Sequence, residues 1–260
     1  MAYQPVRVRD LPPGYTEWPA PAGLRHAIAC VWAQVTPDAG RARVALVLPD
    51  GCSDLIWEQG RGAFVAGPDT GPVSTVMKTG TVVLGVRFRP EAGGPALGVP
   101  LSALRDQRVD LADLHRRDAR RLPGTLDPAT AATRALELAA ALVADADPDP
   151  AATQAAVLLA DPRVRAEDVA AQIGLSLRQL RRRCHAAVGY GPKTLQRVLR
   201  FRRFVSRVDA GLPPGQSAHD LAALAAQAGY ADQAHLTREC RALAGLTPAT
   251  LARQRADTST

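Results

Sequence analysis

Between residues 24 and 90, apolar positions fall in short runs separated by turn-forming residues. His26–Val35 is apolar and rich in β-formers, and Val44–Leu48 and Asp54–Trp57 flank Pro49-Asp50-Gly51-Cys52. An Asp-Gly step between two such runs predicts a hairpin, because a tight turn needs residues that accept positive φ. Ala63–Ala66 and Val73–Met77 follow, split by the turn cluster Gly67-Pro68-Asp69-Thr70-Gly71-Pro72. Val82–Phe88 ends before Pro90. Short strands at this spacing predict a small antiparallel β barrel or sandwich. From Glu91 the pattern changes. Leu111–Arg117 and Pro128–Ala144 read as helices, and Asp145–Pro150 (Asp-Ala-Asp-Pro-Asp-Pro) reads as an acidic, proline-broken linker. Everything after it reads helical. The expected class is α+β, with a β-rich sensor or dimerisation domain over 1–148 that ends in helices and an all-α domain over 149–260.

The helical half contains a repeat. Ala170-Ala-Gln-Ile-Gly174 recurs as Ala225-Ala-Gln-Ala-Gly229, an offset of 55. After one extra residue the match resumes at an offset of 56: Leu180, Arg182, Cys184, Gly189, Pro192, Thr194, Leu195 and Arg197 become Leu236, Arg238, Cys240, Gly245, Pro248, Thr250, Leu251 and Arg253. Two copies are too few for a solenoid, so they read as two similar helical subdomains. In the first, Val169, Ala170 and Ile173 form an apolar stripe that ends at Gly174, and Ser176 is placed to cap the next helix. That helix turns Leu177, Leu180, Cys184 and Val188 inward and leaves Arg178, Gln179, Arg181, Arg182 and His185 outside. In the second, Gly229 ends one helix and Asp232 caps the next. Leu236, Cys240 and Leu243 face in, and Gln233, Thr237 and Arg238 face out. Helix, Gly-containing turn, helix is the pattern of a helix-turn-helix, whose second helix enters the major groove. Arg and Gln suit base edges because they bond G and A bidentately.

Charge points the same way. Residues 161–260 hold 16 Lys+Arg against 8 Asp+Glu, and residues 1–160 hold 16 against 17, so the net charge of +7 resides in the repeat region. A local basic surplus fits a polyanion, here double-stranded DNA. No apolar run is long enough to span a membrane, and the first residues lack the apolar core of a secretory signal. The four cysteines lie far apart with no CxxC pair, so a reducing cytoplasm is expected.

On Gly174-Leu-Ser176…Leu180-Arg-Arg182…Gly189-Tyr-Gly-Pro192 and Gly229-Tyr-Ala-Asp232-Gln-Ala-His-Leu-Thr-Arg238-Glu-Cys240…Gly245-Leu-Thr-Pro248, residues 151–255 resemble the AraC/XylS transcription regulators. The resemblance implies two helix-turn-helix units joined by a long helix that Pro192 opens and that runs to Gly211. It implies a DNA-binding set of Ser176, Arg178, Gln179, Arg181 and Arg182 in the first unit, and Gln233, Ala234, His235, Thr237 and Arg238 in the second. The departures are Cys184 and Cys240, which stand where the family usually has a large aromatic and read as small core residues. Residues 24–114 resemble a domain that accompanies a subset of these regulators, through Val47-Leu-Pro-Asp50-Gly-Cys52-Ser-Asp54-Leu-Ile-Trp57, Ala66-Gly-Pro68 and Gly85-Val-Arg87-Phe-Arg89-Pro90. Such domains commonly sense a small molecule or dimerise.

Residues in the N-terminal half admit two readings each. His26, Asp50, Cys52 and Asp54 are metal-ligand types, but without a second His/Cys cluster the turn, buried-thiol and strand-edge reading is favoured and no metal is expected. Trp32 and Trp57 line either a pocket or the core. Arg87 and Arg89 share a strand face, open to an anionic ligand or to water. The candidate ligand set is Trp32, Asp50, Asp54, Trp57 and Arg87. No GxSxG, P-loop, HExxH or GxGxxG is present, so neither catalytic residues nor a cofactor are expected. The function expected is sequence-specific DNA-binding transcription regulation, controlled by a small-molecule effector through the N-terminal domain, in a chain that is a candidate homodimer. The alternatives are a DNA-binding interaction protein without ligand, or a metal-binding or enzymatic N-terminal domain fused to the DNA-binding module.

Overall fold

The structure, a computed structural model, describes residues 12–38, 42–210 and 221–258. Strands β1 (Gly14–Pro19), β2 (Ile28–Val35), β4 (Ser53–Glu58), β5 (Gly62–Ala66), β7 (Val82–Phe88) and β8 (Arg108–Asp110) form one antiparallel sheet in the order β1-β2-β7-β4-β5-β8. Strands β3 (Arg43–Val47) and β6 (Val73–Met77) pair separately. The N-terminal half is therefore sandwich-like, with no closed barrel.

Side chains alternate across the large sheet as the period of two requires. Val31, Ala33, Leu55, Trp57, Val65, Leu84, Val86 and Phe88 face helix α4 (Pro128–Ala144) and the short helix α1 (Gly93–Leu97), and with them form the first core. Trp32, Ile56, Phe64 and Ala66 lie on the opposite face in a smaller cluster. There Trp32 covers Gly85. A Cβ on Gly85 would stand 2.0 Å from the indole, so only glycine lets that ring lie flat on the strand. Asp127 caps α4 by accepting the Thr130 N–H, and Pro128 supplies its first residue.

Four expectations are corrected. Asp50-Gly51 does not close a β3–β4 hairpin: β3 pairs with β6, and β4 pairs with β5 and β7. Pro49 brings no N–H to a ladder, and the Asp50 carboxylate accepts the Cys52 N–H at 2.8 Å, so the turn carries the chain from one sheet to the other. The helix expected over Leu111–Arg117 breaks into α2 (Leu111–Leu114) and α3 (Arg116–Ala119) at His115, which leaves helical geometry with its ring bonded to the Leu97 carbonyl at 2.8 Å. The linker is one residue shorter than expected, because Pro150 opens α5 (Pro150–Leu159), capped by Asp149. The long central helix, α8 (Pro192–Asp209), ends before Gly211, which lies outside the described residues.

The remaining helices are α6 (Ala166–Gln172), α7 (Leu177–Val188), α9 (Leu221–Ala228), α10 (Gln233–Ala244) and α11 (Pro248–Thr258). Their buried residues, Ala152 through Leu251, form a second core separate from the first, which ends at Ala139. Asp149 stands between the two. Its carboxylate caps α5 through the N–H groups of Ala151 and Ala152 and pairs with Arg183 of α7 at 2.6 Å. Burial works against this charge, but the Arg183 bond and the two amides hold the carboxyl below its ordinary range.

Asp149→Ala should therefore destabilise the C-terminal half by about 1–2 kcal/mol at neutral pH. A carboxyl with a depressed folded-state pKa contributes its stability above the ordinary value of about 4 and loses it as the pH falls below. Urea unfolding should show wild type and variant converging between about pH 5 and pH 3. A gap that persists at the acid end would place the loss elsewhere than in the charge.

Candidate nucleic-acid interface

The repeat in the sequence is a repeat in the backbone. In the first unit the Leu175 N–H bonds the Ala170 carbonyl at 2.8 Å and the Gly174 N–H bonds that of Ala171 at 3.1 Å. In the second, Tyr230 bonds Ala225 at 2.9 Å and Gly229 bonds Ala226 at 3.1 Å. This is the double bond of a Schellman stop, which needs a left-handed residue. Gly174 and Gly229 supply it, at φ +70° and +89°. The second turn is one residue longer, because its cap, Asp232, follows Tyr230 and Ala231. That residue accounts for the step in offset.

Both second helices are capped and have the same length. In α7, Ser176 and Gln179 form a capping box: the Gln179 N–H donates to the Ser176 hydroxyl oxygen at 3.3 Å, and the Gln179 side-chain oxygen accepts the Ser176 N–H at 2.8 Å. In α10 the Asp232 carboxylate accepts the His235 N–H. α7 and α10 each span 12 residues. Leu180 and Cys184, like Leu236 and Cys240, are fully buried. Burial pushes the Cys184 thiol up to about 11 and the Cys240 thiol up to about 12, so both are neutral, small core groups.

The outward faces differ from the inward ones in kind. The side chains of Arg178, Arg181 and Arg182 are exposed and make no hydrogen bond or ion pair among the described residues, and the same holds for the side chains of Arg238 and Gln233. Ala234 is exposed beside them. Ser176 and Gln179 are exposed too, yet their polar atoms are occupied by the cap, so part of their role is to hold the start of α7. The Ser-x-x-Gln spacing carried that signal. His235 is half-buried with its ring edge-on to Tyr230 at 5.1 Å. Thr237 donates its hydroxyl to the Gln233 carbonyl at 2.9 Å.

Helix α8 holds the two units in a fixed relation. Leu195, Val198, Phe201 and Phe204 are buried along one face. Gln196 donates to the Val164 carbonyl at 2.6 Å, and Arg203 donates to the carbonyls of Ala160 and Ala228, which end α5 and α9. Arg197 pairs at 2.7 Å with Glu239, a buried acid on α10 between Arg238 and Cys240. Sequence reasoning missed this pair, since Arg197 is separated from Glu239 by 42 residues and looks like any other basic residue of the region.

In the N-terminal half, four of the five candidate ligand residues meet on the sheet face turned away from α4. Arg87 donates to Asp54 at 3.1 Å, lies 3.3 Å from Asp50 and pairs with Glu17 at 3.2 Å. The Trp32 indole N–H donates to the same Asp54 at 2.7 Å. Burial raises the Asp54 carboxyl, opposed by Arg87, and the carboxylates raise the already strong base Arg87 in spite of its burial. Arg87 is thus half-buried and paired with acids of its own chain rather than open to water. Trp57 points to the opposite face, into the first core, where its indole N–H donates to the Pro123 carbonyl at 3.0 Å. Among the described residues no group of His, Cys, Asp and Glu is arranged to hold a metal ion, and no helix is long and apolar enough to cross a membrane.

Residues 169–254 match the family described as a helix-turn-helix domain, and residues 16–110 match a domain of unknown function, DUF6597. None of the curated proteins matches the chain. Among solved structures, an AraC-type transcriptional regulator from Chromobacterium violaceum is 24% identical, with 41% of this chain and 93% of that one covered at a TM-score of 0.36. Two structures of ToxT from Vibrio cholerae are 11% and 9% identical. They cover 86% and 92% of this chain, and 97% and 98% of ToxT, at TM-scores of 0.47 and 0.45. Residues 169–254, which carry the two capped helix-turn-helix units, thus belong to the helix-turn-helix domain family, and residues 16–110 to the DUF6597 domain family.

Proposed function

We propose that α7 and α10 read two adjacent major-groove segments of promoter DNA in the cytoplasm, and that the N-terminal domain governs this binding in response to a small molecule. The observation that carries the first part is the pair of matched, capped helices, each with an unpartnered basic or amide face, on one rigid α8. Arg178, Arg181 and Arg182 are the base-reading side chains of the first unit, and Gln233, Thr237 and Arg238 those of the second. Ala234 offers a methyl contact. Ser176, Gln179 and His235 set the helix starts against the phosphates. A single chain then covers an asymmetric site, with its halves about one helical turn apart.

Control by the N-terminal domain is supported by continuity between its polar cluster and the helical half. Asp50 belongs both to the Arg87 cluster and to the β3–β4 turn, and Leu48 of that turn packs against the second core. Gly51 lies against Tyr190 and Leu195, with the Tyr190 hydroxyl 3.3 Å from where a Cβ would stand. Tyr190 is a buried residue between α7 and α8. A second reading, an interaction module without ligand, is favoured by tight packing. The cavity beside Gly85, bounded by Trp18, Trp32 and α4, has a volume of about 10 Å³, room for no more than one water. A thermal-shift screen of cellular metabolites separates the two. A metabolite that shifts the melting temperature and also changes DNA affinity supports control, and a screen in which no metabolite does both supports the interaction module.

If the basic half meets about 6–10 phosphates, affinity should fall by orders of magnitude between about 50 and 200 mM salt. A salt-independent affinity, measured by fluorescence anisotropy, would contradict DNA as the partner.

Arg182→Ala and Arg238→Ala should each cost about 1–3 kcal/mol on specific DNA and far less on random DNA. Lysine keeps the charge but loses the bidentate fork. Full rescue by Arg→Lys at both positions would reduce these residues to phosphate contacts and refute the assignment.

A further inference from the structure

The 3-10 turn at Leu101–Ala103 belongs to the N-terminal domain, yet it packs against α7. The approach is close. A Cβ on Gly189, the cap of α7, would stand 3.1 Å from the Leu101 carbonyl oxygen, and one on Gly94 of α1 would stand 3.0 Å from that of Ala186. This docking brings Arg105, four residues past Leu101, to the flank of the first recognition helix. Arg105 is exposed and has no hydrogen-bond or ion-pair partner among the described residues. The adjacent Asp106 is engaged elsewhere: its carboxylate accepts the Thr70 N–H at 2.7 Å and the Thr70 hydroxyl.

His185 on α7 lies within electrostatic reach of Arg105. It is four residues past Arg181 and seven past Arg178, on one helical stripe. Burial lowers its pKa, and Arg105 and Arg181 lower it further, so both guanidinium groups act on the one ring. The unpaired positive stripe of α7 therefore continues off the helix onto the N-terminal domain. Like charges gathered at a surface favour a polyanion there, and the neighbouring Asp106, held by Thr70, makes no ion pair with Arg105. The N-terminal residues of a recognition helix meet base edges, and its far end rises toward the backbone.

We propose that Arg105 of the N-terminal domain is part of the DNA interface and contacts a backbone phosphate beside the groove entered by α7. The proposal rests on the DNA-binding reading above. A contact of this kind positions the protein and carries no sequence information.

The test is equilibrium binding by the full chain to two duplexes, one selected by wild type from a random pool and one of random sequence. Wild type, Arg105→Ala, Arg105→Lys and Arg182→Ala are compared between about 50 and 200 mM salt. The expected result is that Arg105→Ala weakens both duplexes by a similar factor. Its logarithmic salt slope should drop by about 1, so its affinity falls about 3–4-fold less across that range than wild type's. Arg105→Lys restores both. Unchanged affinity in Arg105→Ala, while Arg182→Ala loses specific binding, overturns the proposal and leaves the DNA reading standing. A loss with an unaltered slope and no rescue by lysine marks a folding effect and also overturns it. If neither Arg182→Ala nor Arg105→Ala changes binding, the DNA reading fails and the proposal with it.

Discussion

Both helix-turn-helix units depend on one buried face of α8. Leu195, Val198, Phe201 and Phe204 are removed from water only because the two units close on that helix together. Each large side chain buried in this way contributes on the order of 1.5–3 kcal/mol, and neither unit alone could cover the whole stripe. Hydrophobic burial is non-directional, so it leaves the units free to slide. The polar contacts supply the direction. Gln196 and Arg203 bond carbonyls at the ends of helices in both units, and Arg197 meets Glu239 on the second recognition helix. Glu239 is buried, and losing its partner would strand a charge in a low-dielectric site. That pair acts less as a source of net stability than as a register mark between α8 and α10.

The N-terminal sheet divides its labour by face. The face on α4 is apolar and closely filled, with Trp57 at its centre. The other carries a half-buried Arg87 paired with Asp50, Asp54 and Glu17, with Trp32 laid over Gly85. Partial removal of these charges from water offsets much of what their pairing gains, so the cluster adds little net stability. The structure gives it an outlet. Asp50 stands in the turn whose neighbours, Leu48 and Gly51, touch Tyr190 and the helical core. A change at Arg87 thus has a short, packed route to the junction of α7 and α8.

The domains also meet side by side along α7. The same contacts that seat the 3-10 turn at Leu101–Ala103 on the recognition helix leave its outer stripe open. The N-terminal domain touches the C-terminal end of α7, at Ala186 and Gly189, while Arg178, Arg181 and Arg182 stand nearer its start and stay exposed.

Much of this was legible in the chain. The offset repeat, the glycines that stop α6 and α9, the caps Ser176 and Asp232, and the outward Arg and Gln positions follow from local rules, since helix periodicity and capping act within a few residues. Helix α4 was readable to its ends because Pro128 and Asp127 mark its start locally. The strands between residues 24 and 90 were readable as strands, but β1 and β8 were not, and neither were the strand partners. Asp50-Gly51 signals a turn from its own φ preferences, yet pairing depends on which distant strand offers a matching edge, and β3 found β6. The same limit hid the Arg87 cluster, the Arg197–Glu239 pair and the place of Arg105. Each joins residues far apart in sequence, and neither periodicity nor composition encodes such a distance. The sequence by itself determined the strands between residues 24 and 90, the long helices, the caps of α7 and α10 and the basic faces of the recognition helices. Only the tertiary structure decided which charges were buried together and which were left facing outward, because burial is settled by packing between segments rather than within them.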